Sequence, residues 1–95
     1  MNPETVFRRC ADVRFRTVLD EGVVIKQATA EVLVLSEVGA RVLELVDGER
    51  TVAAIEALLV AEFDAPAATI AEDLATYLGE LASIGLVEAR TDAGG

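Results

Sequence analysis

Residues 32–52 read VLVLSEVGARVLELVDGERTV, and the hydrophobic pattern of this stretch changes at Ser36. The four residues before it are all apolar, which is typical of a strand that has two apolar faces. The residues after it fit an amphipathic helix, because apolar side chains recur at the spacing i, i+4, i+7 and i+8, at Val38, Val42, Leu45 and Val46. Serine is a favourable helix N-cap. The stretch therefore predicts a strand that leads directly into a helix.

Two further helices are predicted downstream. Gly48 ends the first helix as a left-handed cap, and Gly39 within that helix is expected to permit close backbone packing. Thr51 caps a second helix, and Pro66 suits the first turn of a third helix over residues 67–84. Apolar residues recur along both, at Val52, Ile55, Leu59 and Phe63 and then at Ile70, Leu74, Tyr77, Leu78 and Leu81. A Schellman cap is expected at the end of the third helix, at Gly85 and Leu86.

Two strands are predicted upstream, in residues 13–19 and 23–27. The first alternates apolar and polar side chains, and the second is rich in β-branched residues. A turn is expected at residues 20–22, because Gly22 supplies a positive φ at no steric cost. Connections this short favour an antiparallel meander. The fold class is therefore α+β, a small winged helix-turn-helix-like domain with a three-stranded antiparallel sheet followed by three helices.

The strand at residues 32–35 lies at an edge of this meander. Because both of its faces are apolar, it either is covered by helices on both sides or invites another chain to pair with it. Tyr77 on the third helix either packs in the core or supplies a flat apolar body with a polar tip to a groove beside that edge. The residues alone leave both alternatives open.

The charge balance narrows the range of partners. The chain has 95 residues, of which 8 are Lys or Arg and 17 are Asp or Glu, giving a net charge of −9. No Lys or Arg occurs from residue 51 through residue 87. A helix-turn-helix that binds DNA or RNA needs cations on its second helix, so we expect no nucleic-acid binding. No apolar run is long enough to span a membrane, so no membrane partner is expected.

The side chains that most enzymes use are scarce. Histidine is absent and Cys10 is the only thiol, which excludes a Ser-His-Asp or Cys-His pair and the usual zinc sites. No glycine-rich phosphate loop is present, and adjacent carboxylates diverge instead of sharing a proton. We therefore expect no catalysis, no metal and no cofactor. A single thiol without an export signal is typical of a cytoplasmic protein.

The ordered set of motifs resembles the PqqD-like family. Members typically read as an apolar strand, Leu-Asn-x-x-Gly, an apolar helix, Asp-Gly-x-Arg-Thr-Val and another helix, which corresponds to residues 32–52. Residues 70–74 (IAEDL), Leu78 to Leu81 and Gly85-Leu86 match the closing helix. Ser36 stands where the family commonly has Asn, and both residues cap helices. The similarity covers roughly residues 13–87.

This resemblance implies a non-catalytic peptide chaperone, a recognition element for ribosomally synthesised and post-translationally modified peptides. Such a domain binds the leader of a precursor peptide and presents it to a modifying enzyme, for example a radical SAM enzyme, a protease or a cyclase. In the family the leader adds as a strand beside the third strand, against the third helix. Carried over, the leader-binding residues are Val32, Leu33, Val34 and Leu35 at the edge, and Ile70, Asp73, Leu74, Tyr77 and Leu78 on the helix.

The expected organisation is an N-terminal extension at residues 1–12, a recognition domain at 13–87 and a flexible tail at 88–95. The alternative function is a structural or regulatory winged-helix module that uses the same edge to form a homodimer or to dock on a protein, without binding DNA. Because the third helix region has no cations, we expect a leader with basic or neutral side chains.

Overall fold

The computed structural model describes residues 2–90, in which a small antiparallel sheet precedes three helices. This arrangement confirms the predicted α+β class. The elements are β1 (Phe7–Arg9), β2 (Val13–Val18), β3 (Glu21–Lys26), β4 (Glu31–Leu35), α1 (Glu37–Leu45), α2 (Val52–Phe63), α3 (Ala67–Ser83) and β5 (Val87–Ala89). Within residues 2–90, no helix is long and apolar enough to cross a membrane.

Strands β2, β3 and β4 form the predicted meander in that order, so among the described residues β2 and β4 are the two edges. The register is regular: Val23 lies opposite Arg16 on β2 and opposite Val34 on β4. Because side chains alternate between faces, Phe15, Val24 and Leu33 point towards the helices. Val24 is completely buried there.

The first hairpin turn differs from the predicted turn. It lies at Leu19 and Asp20, since Val18 pairs with Glu21 and Gly22 is already part of β3. The positive φ that the turn requires belongs to Leu19, at 57°. Gly22 is needed for a different reason, because a Cβ there would lie 2.9 Å from the Cβ of Ala40 on α1. The glycine thus permits a close approach of helix to sheet instead of making the turn.

The two ends of the described chain pair with each other. β1 and β5 form a two-stranded antiparallel sheet, and the amide of Arg90 donates to the carbonyl oxygen of Val6 at 2.8 Å. The structure therefore places strands in segments that were expected to be an extension and a tail. The sequence did not indicate β1, which is three residues long, or its pairing with β5. Gly94 and Gly95, part of the expected tail, lie outside the described residues.

Three of the four predicted helix caps are confirmed. Gly48 has a positive φ of 82° but does not cap α1, which ends at Leu45 with Val46 as its C-cap. The Gly48 amide donates instead to the carbonyl oxygen of Phe7 at 3.1 Å. The hydroxyl oxygen of Ser36 accepts from the amide of Gly39, and that of Thr51 accepts from the amide of Ala54. At the end of α3, the Leu86 amide donates to the Leu81 carbonyl at 2.9 Å, with Gly85 at φ 80°. That bond is the Schellman pattern. The caps fix where each helix begins or ends.

The core lies between the helices and the inner face of the sheet. Residues from the strands and from all three helices meet there without a buried charged group among the described residues. Lys26 on β3 also donates to the carbonyl oxygen of Ile84 at 2.8 Å, which joins the sheet to the end of α3. The largest fully buried side chains are Leu43, Ile55, Leu78, Leu86, Val24, Val46, Val52 and Val87.

We expect Gly22→Ala to lower the free energy of unfolding by about 1–3 kcal/mol, because the new methyl group overpacks the contact between β3 and α1. A Cβ at Gly22 would lie 2.8 Å from Cε1 of Phe15, so relief requires movement of the ring or of α1. Urea unfolding followed by circular dichroism measures the change.

Gly79→Ala is the matched control. Gly79 lies within α3, and a Cβ there meets nothing within 4 Å. This substitution should raise the free energy of unfolding by up to about 1 kcal/mol, since alanine is the better helix former. Equal effects at the two glycines would contradict the close approach of α1 to β3.

Candidate functional site

The backbone of β4 presents unpaired hydrogen-bonding groups at the sheet edge. The Gln27 amide donates to the Asp12 carbonyl at 2.9 Å, which continues the ladder between β2 and β3. Odd-numbered residues of β3 therefore bond to β2, and even-numbered ones bond to β4. Their partners on β4 are Leu35, Leu33 and Glu31. It follows that the N–H and C=O groups of Val32 and Val34 point away from the sheet.

The side chains of β4 are apolar on both faces. Leu33 and Leu35 are half-buried and pack against the core, whereas Val32 and Val34 are 62% and 63% exposed on the opposite face. Helices therefore cover only one face of this strand. Of the two alternatives that the residues left open, the structure favours the edge that is free to pair.

A cleft of about 250 Å³ lies between α1 and α3 and reaches the point where β4 runs into α1. Its lining is mostly apolar, with one carboxylate. The lining residues are Ser36, Val38, Gly39, Val42, Leu59, Ile70, Asp73, Leu74 and Tyr77. Since Leu35 immediately precedes the cap of α1, the open strand edge and the cleft adjoin each other.

Tyr77 joins α3 to α1 beside the end of β4. A Cβ at Gly39 would overlap the Tyr77 hydroxyl and would lie 3.3 Å from the Cβ of Leu35, so the ring occupies the space that a side chain would fill. This contact explains the glycine inside α1, as the sequence led us to expect. Burial, with a smaller contribution from the negative charge of Glu80, raises the pKa of Tyr77.

The electrostatics of the cleft are acidic. Asp73 is the charged residue in its lining, and it is exposed to solvent. Arg41 on α1 is held by two hydrogen bonds of 2.8 Å from its guanidinium to the Glu62 carboxylate. The same contact raises the pKa of Arg41 and lowers that of Glu62. The positive charge of Arg41 is thus neutralised within the protein by Glu62.

Of the five residues predicted on α3, four line the cleft and one does not, while the four residues predicted on β4 lie at the strand edge outside the cleft lining. Ile70, Asp73, Leu74 and Tyr77 line the cleft beside the β4 edge. Leu78 is wholly buried, with 0% exposure, because it lies on the core side of α3. Leu78 therefore packs in the core behind the wall of the cleft and cannot contact a ligand in this conformation.

The wall of the cleft that α1 contributes was not predicted from the sequence. Val38 was predicted as part of the apolar stripe, but it is 50% exposed and lines the cleft. Gly39 and Val42 complete this wall. The available signal was the position of Val38 in the first turn of a helix that directly follows an edge strand.

The chain is similar to a known protein family and to solved structures. A model of the family described as coenzyme PQQ synthesis protein D (PqqD) matches residues 21–87. The chain is similar to the solved structure of TbiB1 in complex with the TbiA(beta) leader peptide, with 26% identity and a TM-score of 0.81. That similarity covers 90% of this chain and 99% of the other.

A second solved structure shares the fold alone. The heterocyclase TruD is 14% identical, with a TM-score of 0.68, and the similarity covers 93% of this chain but 12% of TruD. No curated protein matches the chain.

The tyrosine in the cleft can be titrated directly, because the chain has one Tyr and no Trp. We expect the tyrosinate absorbance of the folded protein to report a pKa above the ordinary value of about 10, and concentrated urea to return it to that value. Since burial disfavours the charged form, the free energy of unfolding is unaffected below about pH 10 and falls as the pH rises through the folded pKa.

Tyr77→Phe is the control for this titration, because it should abolish the signal and remove this part of the pH dependence. An unchanged pKa in folded and unfolded protein would contradict the burial of the ring against Gly39.

Proposed function

The chain belongs to the PqqD family, and on that premise we propose that it binds the leader segment of a ribosomally synthesised precursor peptide by β-strand addition and presents the peptide to a modifying enzyme. The observation that carries the proposal is the unpaired backbone of Val32 and Val34 beside an apolar cleft. TbiB1, the similar protein of known structure, is described in complex with a leader peptide. The role proposed for this chain is that of a binding protein without catalytic turnover.

Backbone hydrogen bonds at the strand edge supply the part of the affinity that does not depend on the amino-acid sequence of the leader. Val32 and Val34 each offer one N–H donor and one C=O acceptor, so an antiparallel leader strand can form up to four backbone bonds with them. Each such bond contributes about 0.5–1.5 kcal/mol net. Strand addition also removes the aggregation hazard of an open apolar edge.

The cleft supplies specificity. Alternate side chains of an added strand point to the helix side of the sheet, where Ile70, Leu74 and Tyr77 offer apolar contacts. We therefore propose that one apolar leader side chain occupies the cleft as an anchor. Asp73 at its wall favours a neighbouring basic residue over an acidic one.

The alternative function, self-association or docking through the same edge, uses the same backbone groups. The two proposals differ in what occupies the edge, because self-association needs no peptide. Sedimentation of the protein alone over a range of concentrations, followed by addition of leader, separates them. A dimer that the leader does not dissociate would favour the alternative.

We expect Val34→Pro to weaken leader binding by at least about tenfold, since proline removes an outward N–H donor and its ring obstructs the partner strand. Fluorescence polarisation with synthetic leaders from open reading frames beside the gene measures the affinity. A scrambled leader serves as the peptide control.

Thr17→Pro is the matched protein control. By the same alternation, the N–H of Thr17 points outward at the opposite edge of the sheet, so the substitution makes the same chemical change away from the site. Both variants should keep the far-ultraviolet circular dichroism of the unchanged protein. Equal loss of binding in both, or unchanged binding in Val34→Pro, would overturn strand addition at β4.

The charge of the cleft generates a separate expectation. Asp73→Asn should weaken binding of a basic leader by several-fold and reduce its dependence on salt, because an exposed charge pair is screened by ions. Titrations at low and high salt measure both effects. Glu72→Gln, which removes the same charge from an exposed position outside the cleft lining, should change neither. Binding of a basic leader that is independent of salt in the unchanged protein would contradict the electrostatic contribution.

A further inference from the structure

The sheet has a second apolar surface, on the face that points away from the helices. This outer face consists of residues that lie side by side across the three strands. Val23 lies between Arg16 and Val34, and Ile25 lies between Arg14 and Val32. Val18 and Ile25 are nearly half exposed, and a depression of about 570 Å³ runs over the β2 and β3 side. Clustered apolar exposure of this kind marks interaction surfaces.

Two arginines on the outer face have no partner among residues 2–90. The other six basic side chains are engaged: Arg8 with Glu88, Arg9 with the Phe15 ring, Lys26 with Glu31, Arg41 with Glu62, Arg50 with Asp47 and Arg90 with the Gly48 carbonyl. Arg14 and Arg16 are exposed and make no comparable contact in the described chain. Although the protein has a net charge of −9, Arg14 and Arg16 form a positively charged patch without a paired carboxylate in the described chain.

We propose that the outer face docks a partner protein that presents acidic side chains around an apolar patch. Resting on the proposed function, that partner is the enzyme that modifies the bound peptide. The charge complementarity selects this occupant, because an acidic rim pairs with Arg14 and Arg16 while apolar side chains cover the valines. Both arginines lie on β2, at the opposite edge of the sheet from β4.

Other occupants fit the charges less well. Within β2, β3 and β4, a second copy offers one carboxylate on this face, Glu21, for two arginines. Contact between two outer faces therefore leaves one of the arginines without a carboxylate from these strands. Nucleic acid and anionic membranes need more cations than two, and the rest of the chain repels them.

The test is a binding titration between this protein and each purified peptide-modifying enzyme encoded beside its gene. Arg14→Glu with Arg16→Glu should weaken the complex by at least about tenfold, since like charges then face each other. Arg8→Glu with Arg50→Glu, which makes the same change of charge off this face, should leave the affinity within about twofold.

Leader binding is measured on the same variants, so that the two proposals fail separately. The outer-face variants should bind leader as the unchanged protein does. If the enzyme docks in a way that depends on Arg14 and Arg16 but the protein binds no leader, the proposed function is overturned and the docking surface is supported. Three results would overturn the docking surface: no enzyme binds, the control pair loses as much affinity, or the variants only convert a dimer of this chain into monomers.

Discussion

The close contact of α1 with the sheet and with α3 sets the geometry on which the candidate site depends. Two positions without side chains make it possible: Gly22 admits Ala40 of α1, and Gly39 admits the ring of Tyr77. If either contact were wider, α1 would move from the end of β4 and the cleft would lose a wall. The apolar core behind α3, with Leu78 at zero exposure, holds the other wall in place. A few tenths of an ångström at these glycines thus determine whether strand edge and cleft adjoin.

The sequence was most informative where a local rule decides the structure. The caps at Ser36, Thr51 and Gly85 follow from hydrogen-bonding chemistry within a few residues, and the meander follows from short connections. The edge character of residues 32–35 was also predictable, because continuous apolar residues in an outer strand leave few arrangements. These local rules recover the order of the elements, whereas the expectation that a ligand lies between β4 and α3 came from the family resemblance.

The remaining features depend on contacts between distant residues. Leu19 adopts the positive φ of the first turn although Gly22 is nearby, since Gly22 is required by α1. Leu78 was assigned to the site from the family resemblance, and the spacing of its apolar stripe does not show which part of the helix faces the core. The pairing of β1 with β5 joins residues about 80 positions apart, which no local pattern can indicate.

The hydrogen bond between the Arg90 amide and the Val6 carbonyl has a consequence for how this domain combines with others. It brings Val6 and Arg90, which lie near the two ends of the described fold, next to each other. A domain of this kind can be inserted into a loop of a host protein at a small loop-closure cost, without rearranging its own sheet. The same fold covers 12% of the heterocyclase TruD, which illustrates that it occurs as a module of a much longer chain.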